Sequence, residues 1–146
     1  MKFIKTILNN TLVLLCILFT FSCSSDDGVV SCFPIGNVNR TINLNLPLYY
    51  NLNNPGGWIY LEGPTSGTRG IIVVNTGSGF KAYDRNAPHI CPTSNSTLYV
   101  VDGLKMFCKE DGSEWILTTG EPIKIANRAP RTYQVIPYGD QLVITN

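Results

Sequence analysis

Residues 87–113 read APHICPTSNSTLYVVDGLKMFCKEDGS, and this stretch decides the fold. At its centre, Asp102-Gly103 separates two β-prone runs, residues 97–101 and 104–107. Asp-Gly between such runs is among the strongest short-range hairpin signals. One polar segment on each side of the hairpin carries reactive side chains: His89, the single histidine of the chain, lies before it, and Cys108 follows it. The stretch therefore predicts a β-hairpin bordered by two loops that are candidates for a site.

Short β-prone runs separated by turn residues continue on both sides of this hairpin. Residues 70–74 form a continuous apolar run, which is typical of a strand buried on both faces. In residues 41–46 polar and apolar positions alternate, which places Ile42, Leu44 and Leu46 on one face of a strand. Such a series predicts an all-β fold, a small antiparallel sandwich or barrel. The predicted strands are 41–46, 58–61, 70–74, 80–84, 97–101, 104–107, 114–117, 132–136 and 141–144.

The N-terminus has the pattern of an export signal. Lys2 and Lys5 precede a largely apolar segment, residues 7–21, that is too short for a transmembrane helix. The following Ser22-Cys23 resembles the lipobox of bacterial lipoproteins, although Thr20 occupies the usual leucine position. We therefore expect a signal peptide at 1–22, the lipidated Cys23 with a flexible tether at 23–38, and the β-domain at 39–146. Ordinary secretion with Cys23 in a loop is the alternative.

This signal sets the compartment and the charge of the mature chain. Eleven Lys and Arg residues minus Lys2 and Lys5 leave nine, against ten Asp and Glu, so the mature chain is nearly neutral. Without a basic patch, nucleic acid is not an expected partner. The expected location is the cell envelope, on the periplasmic or surface face of the outer membrane, where disulfides persist. With Cys23 acylated, three mature cysteines remain, which predicts one pair and one free thiol.

The two polar segments together resemble the cluster-binding boxes of the Rieske family. Rieske domains hold a 2Fe–2S cluster with a Cys-x-His box and a Cys-x-x-His box, the second usually followed by Gly-Ser. Here Ala87-Pro88-His89 lacks the first cysteine, and Cys108-Lys109-Glu110-Asp111 lacks the second histidine but keeps Gly112-Ser113. The separation of 19 residues between His89 and Cys108 is within the family's range. The resemblance covers about residues 57–146 and implies a tip formed by two loops with a degenerate ligand set.

Three interpretations of this tip remain open. In the first, Cys91 and Cys108 form a disulfide that joins the loops, and His89 and Asp111 are polar residues hydrogen-bonded to each other. In the second, His89, Cys91, Cys108 and Asp111 form a remodelled metal site, for which zinc accepts all the ligand types present. In the third, Cys91 and Asp111 replace lost ligands of a working 2Fe–2S cluster.

The residues favour a non-catalytic protein. With one histidine, which lies in a degenerate cluster loop, no credible Ser-His-Asp arrangement exists, so no catalytic residue is predicted. We expect a membrane-anchored, extracytoplasmic Rieske-like domain that has lost its standard ligands, has no cofactor and acts as a structural or binding accessory protein. Its partners are then the membrane, through Cys23, and a further protein. The alternative is electron transfer through a 2Fe–2S cluster or another metal held by an altered ligand set.

Overall fold

The structure is a computed structural model that describes residues 30–34 and 36–146. The expected signal peptide at 1–22 and the lipidation of Cys23 lie outside the described residues and remain predictions. Within the described part, no helix is long and apolar enough to cross a membrane. The elements are β1 (Asn39–Asn43), a 3-10 helix (Pro47–Asn53), β2 (Trp58–Leu61), β3 (Ile71–Asn75), β4 (Phe80–Asp84), β5 (Leu98–Val101), β6 (Lys105–Cys108), β7 (Glu114–Ile116), β8 (Pro122–Lys124), β9 (Thr132–Tyr138) and β10 (Gln141–Thr145).

The strands form two antiparallel sheets, so the all-β prediction is confirmed. Six strands make the larger sheet in the order β1-β10-β9-β4-β3-β2, and the smaller sheet has the order β5-β6-β7-β8. Asp102 and Gly103 turn the chain between β5 and β6 with φ angles of 54° and 67°. The ladder pairs Val101 with Lys105, so the loop has three residues, and the backbone N–H of Leu104 donates to the Val101 carbonyl at 3.1 Å. The first two loop residues supply the positive φ that such a turn needs.

The continuous apolar run at 71–74 is buried on both faces, as its sequence predicts. Ile71 and Val73 pack into one core cluster, which also contains Ile42, Leu52 and Ile144. The intervening residues of β3 join a second cluster, whose buried members are Ile72, Val74, Tyr83, Ala87, Leu98, Met106, Cys108, Trp115 and Leu117. The second cluster lies beneath the two loops of the predicted tip, so the site rests directly on a core.

The strand predicted at 41–46 ends earlier than expected. β1 stops at Asn43, and the Asn43 side-chain oxygen accepts a hydrogen bond from the backbone N–H of Asn45 at 2.9 Å. This local turn competes with the strand ladder, as asparagine side chains commonly do. Leu46 is therefore half exposed and does not share the buried face of Ile42. The 3-10 helix and the short strand β8 were not predicted from the sequence.

A flexible tether was predicted at 23–38, and this prediction is wrong for the residues of that range that the structure describes. The backbone N–H of Val30 donates to the Pro88 carbonyl at 3.1 Å. Phe33 and Val38 are buried, and Val38 belongs to the core cluster of the larger sheet. Apolar side chains are buried wherever a packing surface is available, and the domain offers such a surface to this segment. The folded unit therefore includes residues 30–34 and 36–38, and its boundary lies earlier than 39.

A disulfide fixes this segment to the domain. Cys32 is bonded to Cys91 with a Cα–Cα distance of 5.6 Å, and Cys108 is a buried free thiol. The expected count of one pair and one free thiol is confirmed, but the expected pairing of Cys91 with Cys108 is wrong. The reason is the packing of the N-terminal segment against the first loop, which brings Cys32 to Cys91.

Removal of this disulfide should destabilise the protein strongly. Its cysteines are 59 residues apart, and closing a loop of that size is worth about 4 kcal/mol in the loop-entropy model. We expect Cys32→Ser and Cys91→Ser each to lower the free energy of unfolding by an amount of that order, as measured by denaturant titration. The double variant should lose no more than either single one. A double variant clearly less stable than both would contradict the pairing.

Candidate functional site

Two loops meet at one end of the molecule and form the tip. Loop 1, residues 85–97, connects β4 to β5, and loop 2, residues 109–113, connects β6 to β7. Two side-chain bridges join them. His89 Nε2 lies 2.7 Å from Asp111 Oδ2, and the Thr93 hydroxyl donates to Glu110 Oε2 at 2.8 Å. The loops are thus held together by contacts between their own side chains.

Loop 1 is shaped by a buried asparagine. The Asn86 side-chain amide donates to the carbonyls of Ala87 and Ile90, both at 2.9 Å. Its carbonyl oxygen accepts a 2.5 Å hydrogen bond from the Ser96 hydroxyl. Asn86 and Ser96 are both fully buried, so these bonds replace water that the loop backbone would otherwise need. The two ends of loop 1 are therefore tied to each other, and His89 is presented from a defined backbone.

A buried carboxylate supports loop 1 from below. One oxygen of Asp84 accepts hydrogen bonds from the backbone N–H of Thr68 at 2.7 Å and from the Tyr133 hydroxyl at 2.5 Å. The other oxygen accepts the backbone N–H of Asn86 at 2.8 Å. Burial, followed by the nearby Asp84 charge and its hydrogen bond, raises the pKa of Tyr133. The tyrosine therefore remains a neutral donor, and one carboxylate links three distant segments at the base of the tip.

Loop 2 is a tight turn that is closed by backbone hydrogen bonds between the residues at its two ends. The backbone N–H of Cys108 donates to the Ser113 carbonyl, and that of Gly112 donates to the Cys108 carbonyl, both at 2.9 Å. Gly112 has a φ of 77°, a conformation that glycine adopts without steric cost. The turn places the side chains of Asp111 and Ser113 on the side that faces His89. The retained Gly-Ser pair thus has a structural role in this protein.

The contact between the loops is a hydrogen-bonded cluster of His89, Asp111 and Ser113. Asp111 accepts the Ser113 hydroxyl at 2.5 Å and the Ser113 backbone N–H at 3.0 Å, in addition to the contact with His89. Burial alone would raise the pKa of Asp111, but the hydrogen bonds from Ser113 and His89 outweigh it and lower the pKa to about 2. Asp111 is therefore an ionised acceptor at neutral pH. The hydrogen bond between His89 and Asp111 expected from the sequence is confirmed.

One nitrogen of His89 has no partner within the described residues. With Nε2 directed at Asp111, Nδ1 is buried and lacks a hydrogen bond to any described group. The ring lies against Trp115, with centroids 5.9 Å apart. A buried polar atom without a partner costs free energy, and among the described residues of the tip His89 Nδ1 is an atom in this state.

The four predicted metal ligands are not assembled as a set. Cys91 is bonded to Cys32, which removes its thiolate, and Asp111 is engaged by His89 and Ser113. Burial raises the pKa of the Cys108 thiol, so it is held in its neutral form. Across residues 30–34 and 36–146, no group of three or more His, Cys, Asp or Glu side chains is placed to hold a metal ion. A 2Fe–2S cluster needs four ligands, and the tip retains two candidate donors, His89 Nδ1 and Cys108.

Ala87 and Cys108, the two positions to which the resemblance assigns thiolates, lie in the core. Both are fully buried in the same apolar cluster. Alanine supplies no donor atom at the first of these positions. The residues present do not fit an iron–sulfur cluster, and protein atoms occupy the space between the loops.

Comparisons with known proteins give little beyond the fold class. No model of a known protein family matches the chain, and no curated protein sequence matches it. Among solved structures, it is similar to the ferredoxin of carbazole 1,9a-dioxygenase from Nocardioides aromaticivorans IC177, with 19% sequence identity. That match covers 75% of this chain and 96% of the ferredoxin, with a TM-score of 0.45.

The Asp111 cluster should give the protein a defined acid sensitivity. Its pKa is lowered from the ordinary 3.8 to about 2, so the folded state favours the ionised form. The stability that Asp111 contributes is then fully present above about pH 4 and is lost as the pH falls towards about 2. Urea unfolding at several pH values should show this loss in the native chain and a smaller one in Asp111→Asn. Identical pH dependences for the two proteins would contradict the assignment.

Proposed function

We propose that this chain is a lipid-anchored, extracytoplasmic β-domain of the Rieske type that no longer holds an iron–sulfur cluster. Its tip is closed by its own side chains, and it acts as a structural or binding accessory protein at the membrane. The single observation that carries the proposal is the direct contact of the two loops through His89 and Asp111 at 2.7 Å. In a Rieske tip this space belongs to the cluster and its ligands.

The fate of each ligand position supports the same conclusion. Ala87 has no donor atom, and Asp111 is an ionised acceptor for Ser113 and His89. Cys108 keeps its thiol but lies buried in an apolar cluster, which disfavours the thiolate that metal binding requires. Each of these changes removes a ligand or engages it in another interaction. A protein whose function required the cluster would not benefit from them.

A binding or structural role also fits the charge and rigidity of the domain. The mature chain is nearly neutral, and the tip is stabilised by a disulfide, two bridges between the loops and the buried Asp84 network. Rigid loops on a compact β-scaffold offer a preorganised surface, which reduces the entropy lost when a partner binds. The proposed partner is therefore a protein of the cell envelope that contacts the domain without redox chemistry.

A second candidate function is electron transfer through an altered ligand set. One observation favours it, the buried and unpartnered Nδ1 of His89. That atom and the Cys108 thiol are two donors from opposite loops, as in a Rieske tip. The candidate requires that two further ligands come from groups that are engaged elsewhere in this structure.

Metal analysis separates these functions. The chain should be purified from cells supplied with iron and zinc, and its iron, zinc and acid-labile sulfide measured per polypeptide. We expect none of the three at near-stoichiometric amounts, because the donor set is incomplete. Near-stoichiometric iron with labile sulfide would overturn the proposal in favour of the ferredoxin function. Zinc alone would overturn it in favour of a remodelled metal site.

Restoration of the lost ligands tests whether the tip derives from a Rieske cluster site. The double variant Ala87→Cys with Asp111→His recreates both boxes at the positions that the resemblance assigns. After anaerobic reconstitution with iron and sulfide, we expect it to acquire the visible absorption of a 2Fe–2S cluster, while the native chain stays colourless. The matched control is Ala87→Ser with Asp111→Asn, which changes the same positions without supplying ligands. A folded double variant that takes up no cluster would contradict the Rieske-type origin.

A further inference from the structure

Among the exposed apolar side chains of the described residues, two groups lie near opposite ends of the domain, and Tyr99, Leu104 and Ile136 are exposed outside these groups. One group surrounds the 3-10 helix and the β9–β10 turn, called here the far pole, and its members are Leu46, Leu48, Tyr50 and Tyr138. The other lies beside the tip and consists of Ile123 and Ile125, which are 54% and 63% exposed. Large apolar side chains exposed to this degree and grouped together mark contact surfaces. The two groups therefore need different explanations, because they face in opposite directions.

The isoleucine pair lies on the open edge of the smaller sheet. β8 pairs with β7 on one side and ends the sheet, and all its residues are exposed. Ile125 follows with a φ of 63°, which is strained for a β-branched residue. Its Cδ1 atom is within 3.8 Å of the position that a Cβ on Gly112 would occupy, so it lies against loop 2. A costly backbone conformation thus holds an apolar side chain on the solvent side of the tip.

The chain enters the domain at this same end. The Val30 N–H bonds to the Pro88 carbonyl in loop 1, and the Cys32–Cys91 disulfide holds the segment there. Arg131, at the end of the connection from β8 to β9, donates from Nη1 to the Pro34 carbonyl at 3.3 Å. The N-terminal segment, loop 1 and the connection that begins with Ile125 are therefore neighbours.

The length of chain before Val30 limits how far the tip can lie from a membrane to which Cys23 is anchored. Cys23 precedes Val30 by seven residues, which span at most about 25 Å when fully extended. The far pole lies beyond the other end of β9, a strand of seven residues that runs away from the tip. A lipid group on Cys23 would therefore keep the attachment point at the tip within about 25 Å of the bilayer, a reach that allows the tip to contact the lipid.

We propose that Ile123 and Ile125 insert into the interfacial layer of the lipid bilayer to which the chain is anchored. This inference rests on the lipid anchor of the proposed function, but not on whether the tip holds a metal. Lys109 and Lys124 are exposed beside the pair, with Glu114 paired to Lys105 and Glu110 bonded to Thr93. The surface is thus close to neutral, and burial of apolar area drives the contact. The contact adds a second attachment beside the acyl chains on Cys23 and orients the tip at the bilayer.

A depth measurement on the complete lipidated protein tests the orientation. Ile123→Trp is compared with Leu48→Trp in vesicles of phosphatidylethanolamine and phosphatidylglycerol that contain bromine-labelled acyl chains, which quench nearby indole fluorescence. Trp58 and Trp115 give the same background in both variants. We expect added quenching for Ile123→Trp and none for Leu48→Trp. Quenching of Leu48→Trp alone, or of neither variant, would overturn the proposal, and so would a Cys23 without an acyl group by mass spectrometry.

A partition measurement covers the case in which the tryptophan variants fold poorly. In the mature chain, residues 23–146, carrying Cys23→Ser, the further substitutions Ile123→Ser and Ile125→Asn should lower binding to the same vesicles roughly tenfold, because the buried apolar area is lost. Asparagine tolerates the positive φ at 125, so the backbone is not penalised. Leu48→Ser at the far pole is the matched control and should leave binding unchanged. Equal binding of the two variants would contradict the proposal, and metal content would be unaffected by either result.

Discussion

The hydrogen bond between His89 and Asp111 is the contact on which the tip depends. It joins two loops that come from different strands and lie above one apolar cluster. Because Ser113 donates to the same carboxylate, Asp111 stays ionised and holds the histidine ring in place through its contact with Nε2. The two loops are therefore closed by a short polar network. That network needs only groups that the chain itself supplies.

Support for this closure comes from groups that are far apart in sequence. The Asp84 carboxylate bonds Thr68, Asn86 and Tyr133, and the Cys32–Cys91 disulfide holds the N-terminal segment against loop 1. Buried networks of this kind are costly when incomplete and rigid when fully bonded. Loop 1 is thus constrained from its base and from its outer side. The proposed role as a rigid binding surface rests on these constraints, and the proposed orientation at a bilayer rests on the position at which the disulfide holds the N-terminal segment.

Local sequence patterns predicted those parts of the structure that depend on interactions between neighbouring residues. The Asp102-Gly103 turn and the apolar run of β3 each depend on a few adjacent residues, and both were found at their predicted places. The contact of His89 with Asp111 belonged to one of the three interpretations of the tip, because the resemblance placed both loops there, while the other two made these residues metal ligands. The disulfide partner was not predicted, since Cys32 lies 59 residues from Cys91 in a segment without a strand pattern. The Asp84 network was missed for the same reason, because no local pattern connects residues 68, 84 and 133.

The covalent state of the three described cysteines is the sharpest test of the tip structure. The native protein should be alkylated without reduction, digested and analysed by mass spectrometry. A tip to which the N-terminal segment is bonded gives a Cys32–Cys91 peptide and a Cys108 that is alkylated only after unfolding. A Cys91–Cys108 linkage would contradict it, because the two loops would then be joined by the disulfide and Cys32 would be released from the tip. Rapid alkylation of Cys91 in the folded, unreduced protein would contradict it equally.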